Sequence, residues 1–146
     1  MPTLSPPLLI ERPPIGDRAV AAAFDAFAPD QRATLLDLRD IILRTAAANP
    51  AIGALDESLK WGEPAYRPVR PRTGGTVRLG VWRGAPKACA LFVHCKTSLM
   101  ASYRDLYPDL FGFEGDRALI MPAGVSPPAQ AVSHCVSLAL TYHISR

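Results

Sequence analysis

Thr76-Val77-Arg78-Leu79-Gly80-Val81-Trp82 is the stretch whose period decides the fold. Val77, Leu79 and Val81 alternate with Arg78, the period of two that marks a half-buried strand. Ala88 to His94 is more continuously apolar and reads as a central strand. The turn signals Thr73-Gly74-Gly75 and Arg83-Gly84-Ala85-Pro86-Lys87 border the alternating segment. Strands joined by turns this short are antiparallel.

Toward the N-terminus the period is helical. Asp17 can cap a helix through Phe27, with Val20, Phe24 and Phe27 on one face. Pro29 and Asp30 open a second helix carrying Leu35, Leu38, Ile41, Ile42 and Thr45, closed by Asn49-Pro50. A short third helix is expected from about Ile52 to Leu59, broken by Gly62 and Pro64, with a first strand at Tyr66 to Val69. Pro2, Pro6, Pro7, Pro13 and Pro14 make residues 1–16 an extended, flexible arm, and residues 17–146 the domain.

Toward the C-terminus, Thr97 or Ser98 can cap a helix with Leu99, Tyr103 and Leu106, ended by Pro108. Phe111 to Glu114 and Arg117 to Ile120 flank Gly115-Asp116, which reads as a two-residue type II′ hairpin turn. A last helix, capped by Ser126, runs through about His143. The expected fold is a single α+β domain, an antiparallel sheet of about five strands with helices packed on it.

Composition agrees. The chain has 146 residues, 49% hydrophobic and 20% charged, enough for one core. No apolar run approaches the roughly 18 residues of a membrane span, so no membrane partner is expected. No basic segment followed by an apolar stretch marks a signal peptide. Cys89, Cys95 and Cys135 form an odd set without a CxxC, which points to a reducing cytoplasm. The net charge is +3, but residues 60–87 hold seven basic side chains against Glu63 alone, a local +6 that leaves −3 for the rest. Such a region can attract an anion, although charge runs are usually just solvated.

The chemistry-bearing residues concentrate in Leu59-Lys60-Trp61-Gly62-Glu63-Pro64-Ala65-Tyr66-Arg67. There is no GxSxG, Walker loop, GxGxxG or HExxH, and no zinc-finger spacing. Lys60, Trp61, Glu63 and Tyr66 can line a cleft for a small polar ligand, or simply pack at the edge of the core. His94-Cys95 and His134-Cys135 are adjacent pairs of soft ligands, yet neighbouring side chains on a strand point apart. Glu63, Glu114 and Asp116, with His94, would suit harder metal ions. Cys95, between His94 and Lys96 and ahead of a helix N-terminus, is the candidate nucleophile. Arginines with Trp82 or Tyr66 could stack nucleic acid, but no reader module is recognisable and nucleic acid is set aside as a partner.

Lys60-Trp61-Gly62-Glu63-Pro64-Ala65-Tyr66 together with Phe113-Glu114-Gly115-Asp116-Arg117-Ala118-Leu119 resembles the YdhG-like family, a bacterial domain of unknown function. Phe24-Asp25-Ala26-Phe27, Leu38-Arg39-Asp40-Ile41-Ile42, Val77-Arg78-Leu79-Gly80 and Phe92-Val93-His94-Cys95-Lys96-Thr97 extend the likeness over roughly residues 20–143. Asp116 stands where the family pattern has Asn, a change a turn tolerates. The resemblance implies an α+β fold with an antiparallel sheet. Some relatives are described as frataxin-like iron chaperones, which rely on surface acids, whereas this chain is net basic. The leading expectation is a non-enzymatic cytoplasmic domain that binds a small anionic ligand or a protein partner. Lys60 and Arg117 would hold charge and Trp61 and Tyr66 would stack, with Glu63 and Arg78 beside them. An iron- or metal-binding protein and a Cys95-dependent enzyme are the alternatives, and cofactor and oligomeric state are left open.

Overall fold

The computed structural model describes residues 12–70, 74–83 and 88–144. The expectations for residues 1–11, Thr73 and residues 84–87 lie outside the described residues. Asp17 Oδ1 accepts from the N–H groups of Ala19 at 2.8 Å and Val20 at 3.0 Å and starts helix α1, Arg18–Ala26. Pro29 opens α2, Pro29–Ala48, at the position where a missing N–H is no loss. The Arg32 guanidinium reaches back to the carbonyls of Phe24, Asp25 and Phe27 at the end of α1, where helical partners run out.

The sheet follows. Its strands are β1 (Ala54–Lys60), β2 (Glu63–Arg70), β3 (Val77–Val81), β4 (Ala88–Phe92), β5 (Gly112–Glu114) and β6 (Ala118–Pro122). Their order is β1-β2-β3-β4-β6-β5, and every neighbouring pair is antiparallel. Helix α3 (Leu99–Leu106) precedes β5, and α4 (Ala129–Leu140) closes the chain. This is the expected α+β domain, with six strands among the described residues rather than about five.

The extra strand is β1, where a short helix was expected. Leu55, Glu57 and Leu59 alternate onto the core side of the β1–β2 ladder, opposite Pro68, Tyr66 and Pro64. A glutamate in the middle of that alternation hides the strand period. Glu57 occupies it because Arg39 of α2 donates to its carboxylate, Nε to Oε2 at 2.5 Å and Nη2 to Oε1 at 3.1 Å. Trp61-Gly62 then joins β1 to β2 with φ of 55° and 77°, the two left-handed residues of a type I′ hairpin, and Lys60 pairs with Glu63. Strand β2 therefore starts at Glu63, three residues ahead of the expected first strand.

Smaller differences have similar local causes. The β5–β6 ladder pairs Glu114 with Ala118, leaving the three-residue loop Gly115-Asp116-Arg117 instead of a two-residue turn. Ser126 does not cap α4: Pro127 and Pro128 each disfavour helical backbone in the residue before them, so the helix starts at Ala129. It ends at Leu140, and residues 141–144 are turn. The proline-rich residues 12–16 are irregular but tied down. Arg39 donates to the carbonyls of Pro13 and Pro14, and Arg12 to the carboxylates of Asp37 and Asp40.

The helices share one face of the sheet. Helix α2 packs on β3 and β4, α4 on α2 and β3, and α1 on β1 and β2. Val20, Phe24, Leu35, Leu38 and Ile42 from α1 and α2 meet Tyr66, Val77, Leu79, Leu91 and Leu119 from the sheet, with Val132 and Val136 from α4. Each such large side chain contributes about 1.5–3 kcal/mol by burial. By register the opposite face carries Glu63, Ala65, Arg78, Gly80, Ala90, Phe92, Ala118 and Ile120. Ala90, Phe92 and Ala118 form a separate cluster there with Trp82 and Ile120, to which no helix residue belongs.

Candidate functional site

On that second face, β2, β3, β4 and the β5–β6 loop enclose a cleft of about 350 Å³. Its walls are Trp61, Glu63, Arg78, Trp82, Arg83, Phe92 and Arg117, with Val81 at the rim. Arg78 donates Nη1 to Glu63 Oε1 at 2.6 Å, and its guanidinium carbon lies 5.2 Å from the centre of the Phe92 ring. Trp82 leans against Phe92 with ring centres 6.4 Å apart. The Glu63 carboxylate has room only because residue 80 is glycine: a Cβ there would meet Oε2 at 2.5 Å and Phe92 Cε2 at 3.3 Å.

Trp61 is 89% exposed and sits in left-handed backbone, which a bulky residue rarely adopts. Arg83 and Arg117 are exposed, and among the described residues neither has a carboxylate within ion-pair reach. Burial raises the Glu63 carboxyl above its usual value, while Arg78, Arg117 and Arg83 pull it back. The cleft thus offers two uncommitted guanidinium groups, one paired with carboxylate, and three aromatic surfaces.

Four of the residues singled out in the sequence, Trp61, Glu63, Arg78 and Arg117, come together here. Lys60 is exposed and, as the cross-strand partner of Glu63, projects on the same side of the ladder beside the cleft. Tyr66 does not join them and is corrected as a contact residue. It faces the helices, is fully buried, and donates its hydroxyl to Glu57 Oε2 at 2.6 Å. Burial, then the Glu57 hydrogen bond, pushes its phenol pKa up, so it holds its proton as a structural donor. Arg83, Trp82 and Phe92 complete the cleft. The alternation that exposes Arg78 also turns Gly80 and Trp82 to this face, and the register sets Phe92 opposite Arg78.

The metal candidates stay apart. Among the described residues no three of His, Cys, Asp and Glu come together in a metal-binding group. Glu63 is engaged by Arg78, Glu114 ends β5, Asp116 is in the exposed loop, and His94 follows β4 with Nδ1 accepting from Lys96 N–H at 3.0 Å. His134 meets the Tyr107 hydroxyl at 2.6 Å, while Cys135 is buried on the core side of α4. Cys95 is exposed; burial raises Cys89 to about 11 and Cys135 to about 12, so both are held as thiols. Among the described residues no helix is long and apolar enough to cross a membrane.

The class defined by this geometry is a two-layer α+β domain with helices on one sheet face and a cationic, aromatic cleft on the other. Comparison with family models, curated proteins and solved structures finds no match.

Proposed function

We propose that the cleft binds a small anion with a flat, unsaturated part, and that the domain works by binding rather than by catalysis. The observation that carries this is the gathering of Trp61, Trp82 and Phe92 with Arg83 and Arg117, two guanidiniums without carboxylate partners among the described residues. Guanidinium forks suit carboxylate and phosphate, and aromatic faces suit a flat ring. Arg78 is reserved for Glu63, so it shapes the site rather than carrying the anion. A YdhG-like relationship and a cytoplasmic setting remain parts of this reading, supported by the two sequence motifs and the three free cysteines.

The 89% exposure of Trp61 favours a second reading, in which it anchors a protein partner at the same edge. Isothermal titration with aromatic carboxylates, nucleoside monophosphates and inorganic phosphate tests the first. Arg117→Ala is expected to weaken the best ligand at least ten-fold, the worth of one lost charge-assisted hydrogen bond at about 1.5–3 kcal/mol. A panel that gives no heat and no change in tryptophan fluorescence overturns the small-molecule reading.

A further inference from the structure

A second cavity lies on the other side of the molecule's sheet, among the elements that meet where β4 ends. Its volume is about 300 Å³, at the lower end of ligand-sized clefts. Val93, Leu99 and Ala139, all buried, supply an apolar floor from three separate segments. His94, Lys96 and His143 stand at the exposed rim, and among the described residues no carboxylate lines it. Lys96 makes no ion pair among the described residues.

The walls are preformed. Gly75 N–H donates to Ala139 O at 3.2 Å, fastening the approach to β3 onto the end of α4. Gly74 makes that approach possible, because a Cβ there would stand 2.3 Å from the Ala139 carbonyl oxygen. Ser98 N–H donates to the Tyr142 hydroxyl at 3.2 Å, tying the start of α3 to the turn after α4. His94 accepts from Lys96 N–H at Nδ1, so the neutral ring carries its proton on Nε2 and offers a donor.

We propose that this cavity is a binding site for a small amphipathic carboxylic acid, with the hydrocarbon part on Val93, Leu99 and Ala139 and the carboxylate at Lys96 and His94. Charge complementarity selects that occupant. Among the described residues the rim holds cationic and N–H donors and no acid, which favours an anionic head, and the buried Val93, Leu99 and Ala139 favour a saturated tail. A neutral or cationic head would leave the Lys96 ammonium unpaired or repelled. The site is separate from the cleft at Arg117, which shares no residue with it.

Titration of the ¹⁵N-labelled full chain with octanoate, octanol and octyltrimethylammonium tests this. Octanoate is expected to shift the amides of Val93, Lys96, Thr97, Leu99 and Tyr142 saturably, and Lys96→Ala to weaken it at least five-fold while Arg117→Ala leaves it unchanged. Lys96 is exposed, so its loss leaves the fold intact. Equal binding of octanol, shifts confined to the Arg117 cleft, or no saturable shift each overturns the proposal.

Discussion

Gly80 lies directly under the carboxylate of Glu63, so that a Cβ at this position would stand only 2.5 Å from Oε2. A strand glycine is usually a weakness, but here it lets an acid lie flat on the sheet and reach Arg78. Gly80→Ala displaces the Glu63 carboxylate and crowds the Phe92 ring edge, but meets no backbone. The lost unfolded-state entropy of glycine offsets that strain, so urea melts are expected to show a net change within about 1 kcal/mol. The Arg78 side-chain signals should nevertheless move and affinity at the cleft should fall. A large stability loss would show that Glu63 cannot rotate away.

Trp61 is strained where it stands. Asparagine tolerates left-handed backbone far better, so Trp61→Asn is expected to stabilise the β1–β2 hairpin, by about 1 kcal/mol. Binding at the cleft should weaken in the same variant. Thermal melts and titration read the two effects separately. A variant that is both less stable and equally competent to bind would remove any functional reason for the tryptophan.

Glu63 predicts a pH dependence. Its folded pKa is raised from 4.5, chiefly by burial, so between the unfolded and folded values the folded state binds more proton than the unfolded state. Its contribution to stability is complete below the unfolded value and declines as pH rises through the raised folded value. Glu63→Gln has no such decline. The melting temperature of Glu63→Gln relative to the parent should therefore climb as pH rises from 4.5 through the raised folded value. A flat difference would mean that Arg78, Arg117 and Arg83 fully compensate the burial.

Arg39, 1% exposed, depends on Glu57. Glu57→Gln leaves a buried guanidinium without its counter-charge, which destabilises by about 3–5 kcal/mol. Tyr66→Phe removes one hydrogen bond to the same carboxylate and should cost about 0.5–1.5 kcal/mol. Urea denaturation of the two variants checks the ranking. Equal effects would mean that water replaces Glu57 at the guanidinium.

Thiol chemistry separates the cysteines. At pH 8 a group with the Cys89 value of about 11 is thiolate in about one molecule in a thousand, and Cys135 at about 12 in fewer. A disulfide reagent should titrate Cys95 alone in the native protein and all three after denaturation. Slow reaction of Cys95 would show that its exposed position is covered in solution.

What was legible in the sequence was local. Asp17, the Pro29 start, the alternation of Val77 to Trp82 and the apolar run after Ala88 each depend on neighbours within a few residues, and each stands where the local signal put it. The polar-aromatic stretch that supplies Trp61 and Glu63 to the cleft was legible as a turn, but not as a hairpin between two strands. The β1 strand was not legible, because Glu57 at a core position makes sense only once Arg39 and Tyr66 face it.

The α+β class, the capped early helices and the basic central third follow from the order of residues alone, since propensity, capping and charge act over short stretches. Tertiary structure alone decided that Tyr66 turns inward and that Phe92 lies beside Arg78. It also decided that β6 inserts between β4 and β5, carrying Arg117 to the cleft. Those outcomes rest on strand register and on which face the helices cover, and both are set by contacts between residues far apart in the chain.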